Sequence, residues 1–291
     1  MPTTVAVNQV SEVSGTPHRA PCESRKKRHT GSHAVSGGNR KGLPEARIGR
    51  HLQFMTRIDP YNPLDLEALG GSLIRALESR SPEPLRSIGH FLGSGVYALY
   101  YVGREHPYAE LGEFNRTHEC RLPIYVGRAK DPGARQGISP FEPVTEPLLF
   151  SRVQEHKRLI KAVESAGSAH IMLRLDDFMV RALVCLPLWV PLAEAMALRL
   201  DRPLWNSALS GFGIHAPGKG REEQRRSQWD QLHAGRPFAT RLPENDLSKE
   251  VLVEQAHTAA VERVSSAAVR LGLSLPPSLV PNFPVPTTPR L

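Results

Sequence analysis

Five residues whose side chains can bind an anion, transfer a proton or hold a metal ion lie in segments whose sequence pattern predicts regular structure. Tyr97 and Tyr125 each lie in a short apolar segment. Arg152 and His156 are four residues apart, so on a helix their side chains emerge from one face, about one turn apart. Glu194 is the only acid in an otherwise apolar segment. A guanidinium binds phosphate, a phenol or imidazole can hold or deprotonate a water molecule, and a carboxylate can hold a divalent cation.

The proton acceptor within this set stays open at the level of sequence. A phenol has a pKa of about 10, so Tyr97 or Tyr125 is a poor base at neutral pH unless its surroundings lower that value. His156 can act instead, or it can accept the proton in turn. Core packing is the alternative role for all three, because tyrosines on strands and a histidine on the apolar face of a helix are often buried.

The charged and amide members of the set also have structural alternatives. Arg152 can form a surface ion pair with Glu155, three residues along the same helix. Glu194 can be a solvated acid on a helix. Asn206 follows Glu194 by twelve residues. It can brace the site, contact a phosphate or cap a helix.

Two strands must carry the tyrosines. Residues 95–102 and 123–129 are rich in β-branched and aromatic side chains, which favours half-buried strands. Glycine-containing turns bound both segments. We therefore expect these strands to pair antiparallel, with residues 103–122 as a long polar connection between them.

Helical and strand patterns alternate along the rest of the chain. Apolar residues at helical spacing predict helices over residues 63–80, 148–164 and 247–271, and from Pro191 with Leu192, Ala195, Met196 and Leu200 on one face. Residues 169–178 and 180–188 are predicted as strands, the second of them central because it is almost wholly apolar. The fold class expected is α/β, with a small mixed, largely antiparallel sheet flanked by helices, loop insertions and a C-terminal helix.

The positive charge of the chain is unevenly distributed. The net charge is +8, and residues 1–50 carry nine Lys and Arg against three Asp and Glu. Residues 241–291 carry five of each. A polyanionic partner is therefore permitted but not required. No apolar run approaches the roughly 18 residues that a membrane span needs, and the first residues lack a secretory apolar core. We expect a soluble, cytoplasmic protein that does not bind membranes.

Composition also divides the chain into segments. The first segment is too polar to fold by itself, so it is expected to be a disordered tail or an arm that grips DNA, unless the native chain starts near Met55. The proline-rich end should be extended. The boundaries predicted are a basic tail over residues 1–54, a folded domain over 55–240, a C-terminal helix within 241–275 and a Pro-rich tail over 276–291.

The two strand segments contain a recognisable pair of tripeptides, Gly-Val-Tyr ending at Tyr97 and Tyr-Val-Gly starting at Tyr125. The chain resembles the GIY-YIG nucleases, with valine in place of isoleucine in both halves. That family's order is two tyrosines, an arginine, a histidine or similar group one helical turn later, a metal-binding glutamate and often an asparagine. The matching residues here are Tyr97, Tyr125, Arg152, His156, Glu194 and Asn206. The resemblance covers roughly residues 62–240 and implies that the folded domain is a nuclease domain.

The resemblance is closest to the type II restriction endonucleases that cleave CCGCGG, because of the Arg-x-x-x-His pair and the interval before Asn206. It implies a site-specific endonuclease acting on double-stranded DNA, with Mg²⁺ held by Glu194. A palindromic target implies a homodimer, since each subunit then supplies one cut. Two alternatives remain: another GIY-YIG nuclease of the repair or homing type, and a non-catalytic basic DNA-binding protein.

Candidate DNA contacts come from composition alone. Arginine and lysine are the residues that most often contact guanine in the major groove and the phosphate backbone. Outside the connection 103–122, the candidates are Arg128, Lys219, Arg221, Arg225 and Arg226. A solvated charged face is the alternative for each of them.

Overall fold

The computed structural model describes residues 65–129, 139–167, 171–214 and 224–280. These residues belong to one compact unit, Pro60–Leu291. The tail predicted over residues 1–54 lies outside the described ranges, as does most of the Pro-rich end.

A four-stranded sheet forms the centre of the fold, in the order β1-β4-β2-β3. Its strands are β1 (Glu83–Pro84), β2 (Gly95–Tyr101), β3 (Tyr125–Ala129) and β4 (Phe178–Val184). Every neighbouring pair is antiparallel. The predicted pairing of the two tyrosine strands is confirmed, with Tyr97 opposite Gly127 and Leu99 opposite Tyr125.

Seven α-helices surround this sheet in the part of the chain that the structure describes. They are α1 (Leu66–Glu78), α2 (Ala109–Thr117), α3 (Leu148–Ala166), α4 (Val190–Asp201), α5 (Leu204–Ser207), α6 (Gln228–Leu232) and α7 (Lys249–Leu271). The α/β class predicted from sequence is confirmed. None of the helices within the described ranges is both long and apolar enough to cross a membrane.

The two faces of the sheet pack against different helices. Side chains alternate along a strand, so Tyr97 and Tyr101 of β2 join the larger core, together with apolar residues of α3, α5 and α7. Val96 and Tyr100 join a second core with residues of α1 and α4. The helices that carry Arg152 and Glu194 therefore lie on opposite faces of the sheet.

Three local predictions differ from the structure. The connection 103–122 contains helix α2, which buries Leu111 and Phe114 against the larger core. Residues 171–177 show the alternating burial of a strand but end in a 3-10 turn, and the described residues form a single strand here, β4. Helix α4 buries Val190, Ala193 and Ala197, whereas Ala195 and Leu200 of the predicted apolar face are exposed.

Candidate active site

Tyr97 and His156 form a buried hydrogen-bonded pair. The Tyr97 hydroxyl lies 2.5 Å from His156 Nε2. Tyr97 is fully buried and His156 is 3% exposed. Position 156 falls on the buried face of α3, in line with Val153 and Ile160. The spacing along α3 therefore brings an imidazole to the phenol of the neighbouring strand.

Gly127 makes room for this pair. A Cβ at Gly127 would lie 2.4 Å from the Tyr97 hydroxyl oxygen and 2.6 Å from Cζ. Because Tyr97 is opposite Gly127 in the register, its ring crosses the bare backbone of β3. The glycine of the Tyr-Val-Gly segment thus lets the Tyr97 phenol reach α3.

Arg152 lies one helical turn before His156 and is fixed from two sides. Its Nη2 donates to the Gly213 carbonyl at 2.9 Å, and its Nη1 donates to Glu155. The ion pair with Glu155 foreseen as an alternative is thus present, and it leaves the Arg152 side chain 21% exposed. The guanidinium is partly open to solvent and held in one orientation.

Burial keeps both phenols neutral. It raises the pKa of Tyr97 well above its ordinary value, and the adjacent Tyr125 raises it further. Burial also raises the pKa of Tyr125. The positive charge of Arg152 lowers both values, but less than burial raises them. Neither tyrosine is therefore a phenolate at neutral pH in this state, and Arg152 favours negative charge at either oxygen.

Glu194 reaches the same region from the other face of the sheet. Its Oε2 lies 2.9 Å from Nε of Arg128, and both side chains are about one-quarter exposed. Glu194, Arg128, Arg152 and Tyr125 line one open cleft of about 530 Å³. The carboxylate from α4 and the guanidinium from α3 meet there because β3 is the edge strand and the cleft lies beside it.

Asn206 braces the strand that carries Tyr125. Its Oδ1 accepts from the Val126 N–H at 2.8 Å, and its Nδ2 donates to the Val126 carbonyl at 2.9 Å. Both polar ends of the amide are therefore engaged with the backbone of β3. This geometry suits a bracing role better than contact with a phosphate.

Sequence reasoning missed the loop that closes the other side of the site. Phe212 is buried and stacks on His156 with ring centroids 4.5 Å apart and planes 17° apart. It also meets Tyr125 edge-on at 4.7 Å. Arg236 donates to the carbonyls of Gly211 and Phe212. The Gly-Phe-Gly triplet was visible in the sequence, but nothing there linked it to Arg236.

The candidate DNA contacts fall into three groups. Lys219 and Arg221 lie outside the described residues. Arg225 is exposed and pairs with Asp246, whereas Arg226 donates its Nε to the Ala239 carbonyl and is partly buried. Arg128 lies in the cleft beside Glu194. Arg128 is thus the described candidate that is best placed to meet a phosphate at the site.

A divalent cation in the cleft would have few ligands from the protein itself. Within the described ranges, no three His, Cys, Asp or Glu side chains cluster as a protein-only metal site. Two carboxylates line the open cleft, Glu155 paired with Arg152 and Glu194 paired with Arg128. Mg²⁺ keeps several waters and is commonly bound by one or two carboxylates together with substrate phosphates. The residues present fit such a site.

Comparison with known proteins agrees with this geometry. The family described as the Eco29kI GIY-YIG domain matches residues 89–260, more than half of the chain. No curated protein gives a significant match. The matched range includes β2, β3, α3 and α4, which carry the tyrosines, Arg152, His156 and Glu194. This chain therefore belongs to the Eco29kI family of GIY-YIG restriction endonucleases.

Proposed function

We propose that this chain is a Mg²⁺-dependent type II restriction endonuclease that cuts duplex DNA at a short GC-rich palindrome. One observation carries the proposal: Tyr125, Arg152 and Glu194 line a single cleft although they come from three different elements. That cleft brings together a phenol, a phosphate-binding guanidinium and a carboxylate, as phosphodiester hydrolysis requires.

Arg152 is assigned to the scissile phosphate. Its planar fork matches two phosphate oxygens and stays charged, so it stabilises the charge that builds up during attack. The Glu155 and Gly213 contacts orient the guanidinium before DNA arrives, which reduces the ordering needed on binding.

Tyr97, Tyr125 and His156 are assigned to the attacking water. Tyr125 lines the cleft, while Tyr97 lies behind it and contacts His156. A phenol that takes up the proton of the water can give its own proton to the imidazole, since the Tyr97 hydroxyl lies between Tyr125 and His156. Which of the three is the base stays open in this proposal.

Glu194 is assigned to Mg²⁺. When bound, the ion neutralises the phosphoryl oxygens and stabilises the departing 3′ oxygen. The Glu194 carboxylate already pairs with the Arg128 guanidinium at 2.9 Å. In this proposal, the phosphate of the bound DNA becomes a second anionic partner of Arg128. Arg128 is accordingly assigned to the DNA backbone next to the cut.

CCGCGG is the first sequence to test as the target, with a two-fold homodimer as the cutting species. The test uses supercoiled plasmids that differ only by one CCGCGG site, incubated with Mg²⁺, followed by sequencing of the ends. The variant is Glu194→Gln, which keeps the volume and removes the charge. The matched control is Glu67→Gln, an exposed acid that pairs with Arg199 far out on the surface.

We expect the wild type and Glu67→Gln to linearise the plasmid that carries the site, and Glu194→Gln to bind the DNA without cutting it. Cutting at a different sequence would contradict the CCGCGG assignment alone. Equal cutting by Glu194→Gln would remove the metal role of that residue. Absence of cutting by the wild type on any DNA with Mg²⁺ would overturn the proposed activity.

A further inference from the structure

The turn at residues 211–213 contacts both α3 side chains of the proposed site. The Phe212 ring stacks on His156, and the Gly213 carbonyl accepts from Arg152 at 2.9 Å. The turn also comes close to Tyr125, because a Cβ at Gly213 would lie 2.4 Å from the Tyr125 hydroxyl. A shift of this turn would therefore move a guanidinium and an imidazole together.

Arg236 holds the turn in place. Its Nη1 donates to the Gly211 carbonyl at 2.8 Å, and its Nη2 donates to the Phe212 carbonyl. Asp230 fixes the guanidinium with Oδ2 3.3 Å from Nη1, and the same oxygen accepts from Ser227 at 2.7 Å. The Arg236 guanidinium also lies 5.0 Å from the centre of the Trp229 ring. The buried Arg236 guanidinium thus donates to two consecutive backbone carbonyls of the turn.

We propose that Arg236 is a positioning residue, which holds the 211–213 turn and through it the two α3 side chains in their working geometry. The inference rests on the proposed function, which assigns Arg152 and His156 to the reaction. Arg236 acts on them through the carbonyls of the turn, and its charge also acts on Arg152 through space.

The ion pair is an unfavourable choice for stability alone. The Asp230 side chain is 1% exposed and the Arg236 side chain 7%. Burial lowers the pKa of Arg236 and raises that of Asp230. It therefore disfavours the charged form of both side chains, although the two charges attract each other. Replacing such buried pairs with apolar residues is often neutral or stabilising. A pair that is costly to bury fits a role in fixing geometry.

A cavity beside the turn leaves room for it to move, so the Arg236 hydrogen bonds are needed to hold it in place. A cavity of about 270 Å³ adjoins it, lined by Gly213, Ile214, Arg236 and Phe238 together with Arg152 and His156. Without the Arg236 fork, the turn can relax toward this cavity. A displacement of about 1 Å at a reacting group can lower a rate on the order of 100-fold.

The chain contains a matched control in Arg181. This arginine is 4% exposed, donates to the carbonyls of Arg80, Glu119 and Cys120, and lies 5.0 Å from the centre of the Tyr100 ring. Arg181 therefore resembles Arg236 in burial, in donating to backbone carbonyls and in facing an aromatic ring, but its described contacts include no buried carboxylate like Asp230. It belongs to the opposite face of the sheet, where it contacts none of the α3 side chains in the described contacts.

The experiment compares Arg236→Met with Arg181→Met in the full-length protein. Urea unfolding gives the stability of each, and DNA affinity is measured without Mg²⁺. Single-turnover cutting is then measured at saturating DNA and at a temperature where both variants are folded. We expect Arg236→Met to cut about 10- to 100-fold more slowly with unchanged DNA affinity, and Arg181→Met to cut at the wild-type rate.

A double variant separates stability from geometry. Asp230→Leu combined with Arg236→Met removes both buried charges and leaves no unpaired ion. It should unfold at a urea concentration near that of the wild type and still cut slowly. A double variant that folds well and cuts at the wild-type rate would overturn the positioning role, as would equal losses in the Arg236 and Arg181 variants.

The proton chemical shifts of the His156 ring, measured by nuclear magnetic resonance, provide a readout that does not depend on cutting. Because Phe212 stacks on this imidazole, its ring current shields the His156 protons. We expect the His156 signal, identified by its loss in His156→Gln, to shift in Arg236→Met and not in Arg181→Met. An unmoved signal would contradict the proposal even if the wild type failed to cut, whereas a shift in an inactive protein would place the failure in the proposed function.

Discussion

The two faces of the sheet bring different chemistry to the edge at β3. The face that packs on α3 supplies the buried Tyr97–His156 pair, held by a hydrogen bond and ring packing, together with the charged and 21% exposed Arg152. The face that packs on α4 supplies Glu194, whose carboxylate is partly exposed and paired with Arg128. The Tyr97–His156 pair is thus packed like a core, whereas Arg152, Glu194 and Arg128 are partly exposed at the cleft.

This contrast relates to what each half must do. Water positioning and proton transfer depend on fixed geometry, so burial and close packing help them. A carboxylate that takes up a hydrated cation and an arginine that meets a phosphate must exchange partners, so partial exposure helps them. Substitutions on the first face should therefore affect the rate, and those on the second should affect dependence on metal and salt.

After the loss of cutting expected for Glu194→Gln, the largest effect is expected at Arg152, the cation that α3 contributes. Arg152→Lys keeps the charge and loses the fork that spans Glu155 and Gly213. Loss of one such preorganised donor costs about 100- to 1,000-fold in rate. Single-turnover cutting at saturating DNA measures it, with DNA affinity as the control. A rate within threefold of the wild type corresponds to a change in activation free energy on the order of RT. Such a small change would show that catalysis by Arg152 does not depend on fixed geometry.

A smaller loss is expected for Gly127→Ala, which tests the close packing of the same face. The added methyl group would lie 2.4 Å from the Tyr97 hydroxyl oxygen and 2.6 Å from ring carbon Cζ. Because that ring is fully buried, the strain should cost about 1–3 kcal/mol of stability and slow cutting on the order of tenfold. Gly89→Ala is the control, since its Cβ would meet nothing within 4 Å. Equal unfolding free energies for the two variants would contradict the packing argument.

A few-fold effect is expected where the two faces meet, at Asn206. Asn206→Ala removes two hydrogen bonds to Val126, which together contribute about 1–2 kcal/mol. Urea unfolding and cutting measure the loss. Asn206→Asp keeps the acceptor and loses the donor, so it should retain part of both. An alanine variant as stable as the wild type would mean that the strand needs no brace.

We expect the buried tyrosines to stay protonated below pH 10 and therefore to leave the pH dependence of stability unchanged there. On the face that packs against α3, burial raises the pKa of Tyr97 and Tyr125 in the folded protein, and raises that of Tyr101 to about 12. Between the unfolded value of about 10 and the higher folded value the native state binds more protons, so stability falls as pH rises in that window. Absorbance at 295 nm during titration without metal measures ionisation. Phenolate from more than one tyrosine near pH 10 would show that the buried face admits charge.

Residue type and short-range spacing were sufficient to predict much of this site. Tyr97 and Tyr125 lie in segments with clear strand composition, and the interval between Arg152 and His156 places both on α3 as expected. The interval alone could not show that His156 would face Tyr97 and Arg152 would face the cleft. That depends on how α3 packs across the sheet.

The misses have physical reasons. Helix α2 carries only two apolar positions one turn apart, Leu111 and Phe114, so its pattern is weak within a polar segment. Residues 171–175 alternate between buried and exposed as a strand does, but a strand needs a hydrogen-bonded neighbour, which periodicity cannot reveal. The grip of Arg236 on two backbone carbonyls leaves no trace in residue patterns, because any residue supplies a carbonyl.

The outer edge of β3 has a consequence for assembly. Asn206 occupies the N–H and carbonyl of Val126, and the N–H of Trp205 donates to the carbonyl of Ile124 at 2.9 Å. These are groups that strand addition by another chain would need as a template. Sheet extension across β3 is therefore blocked at these two residues. A second copy could extend the sheet here only by displacing the hydrogen bonds of Asn206 and Trp205.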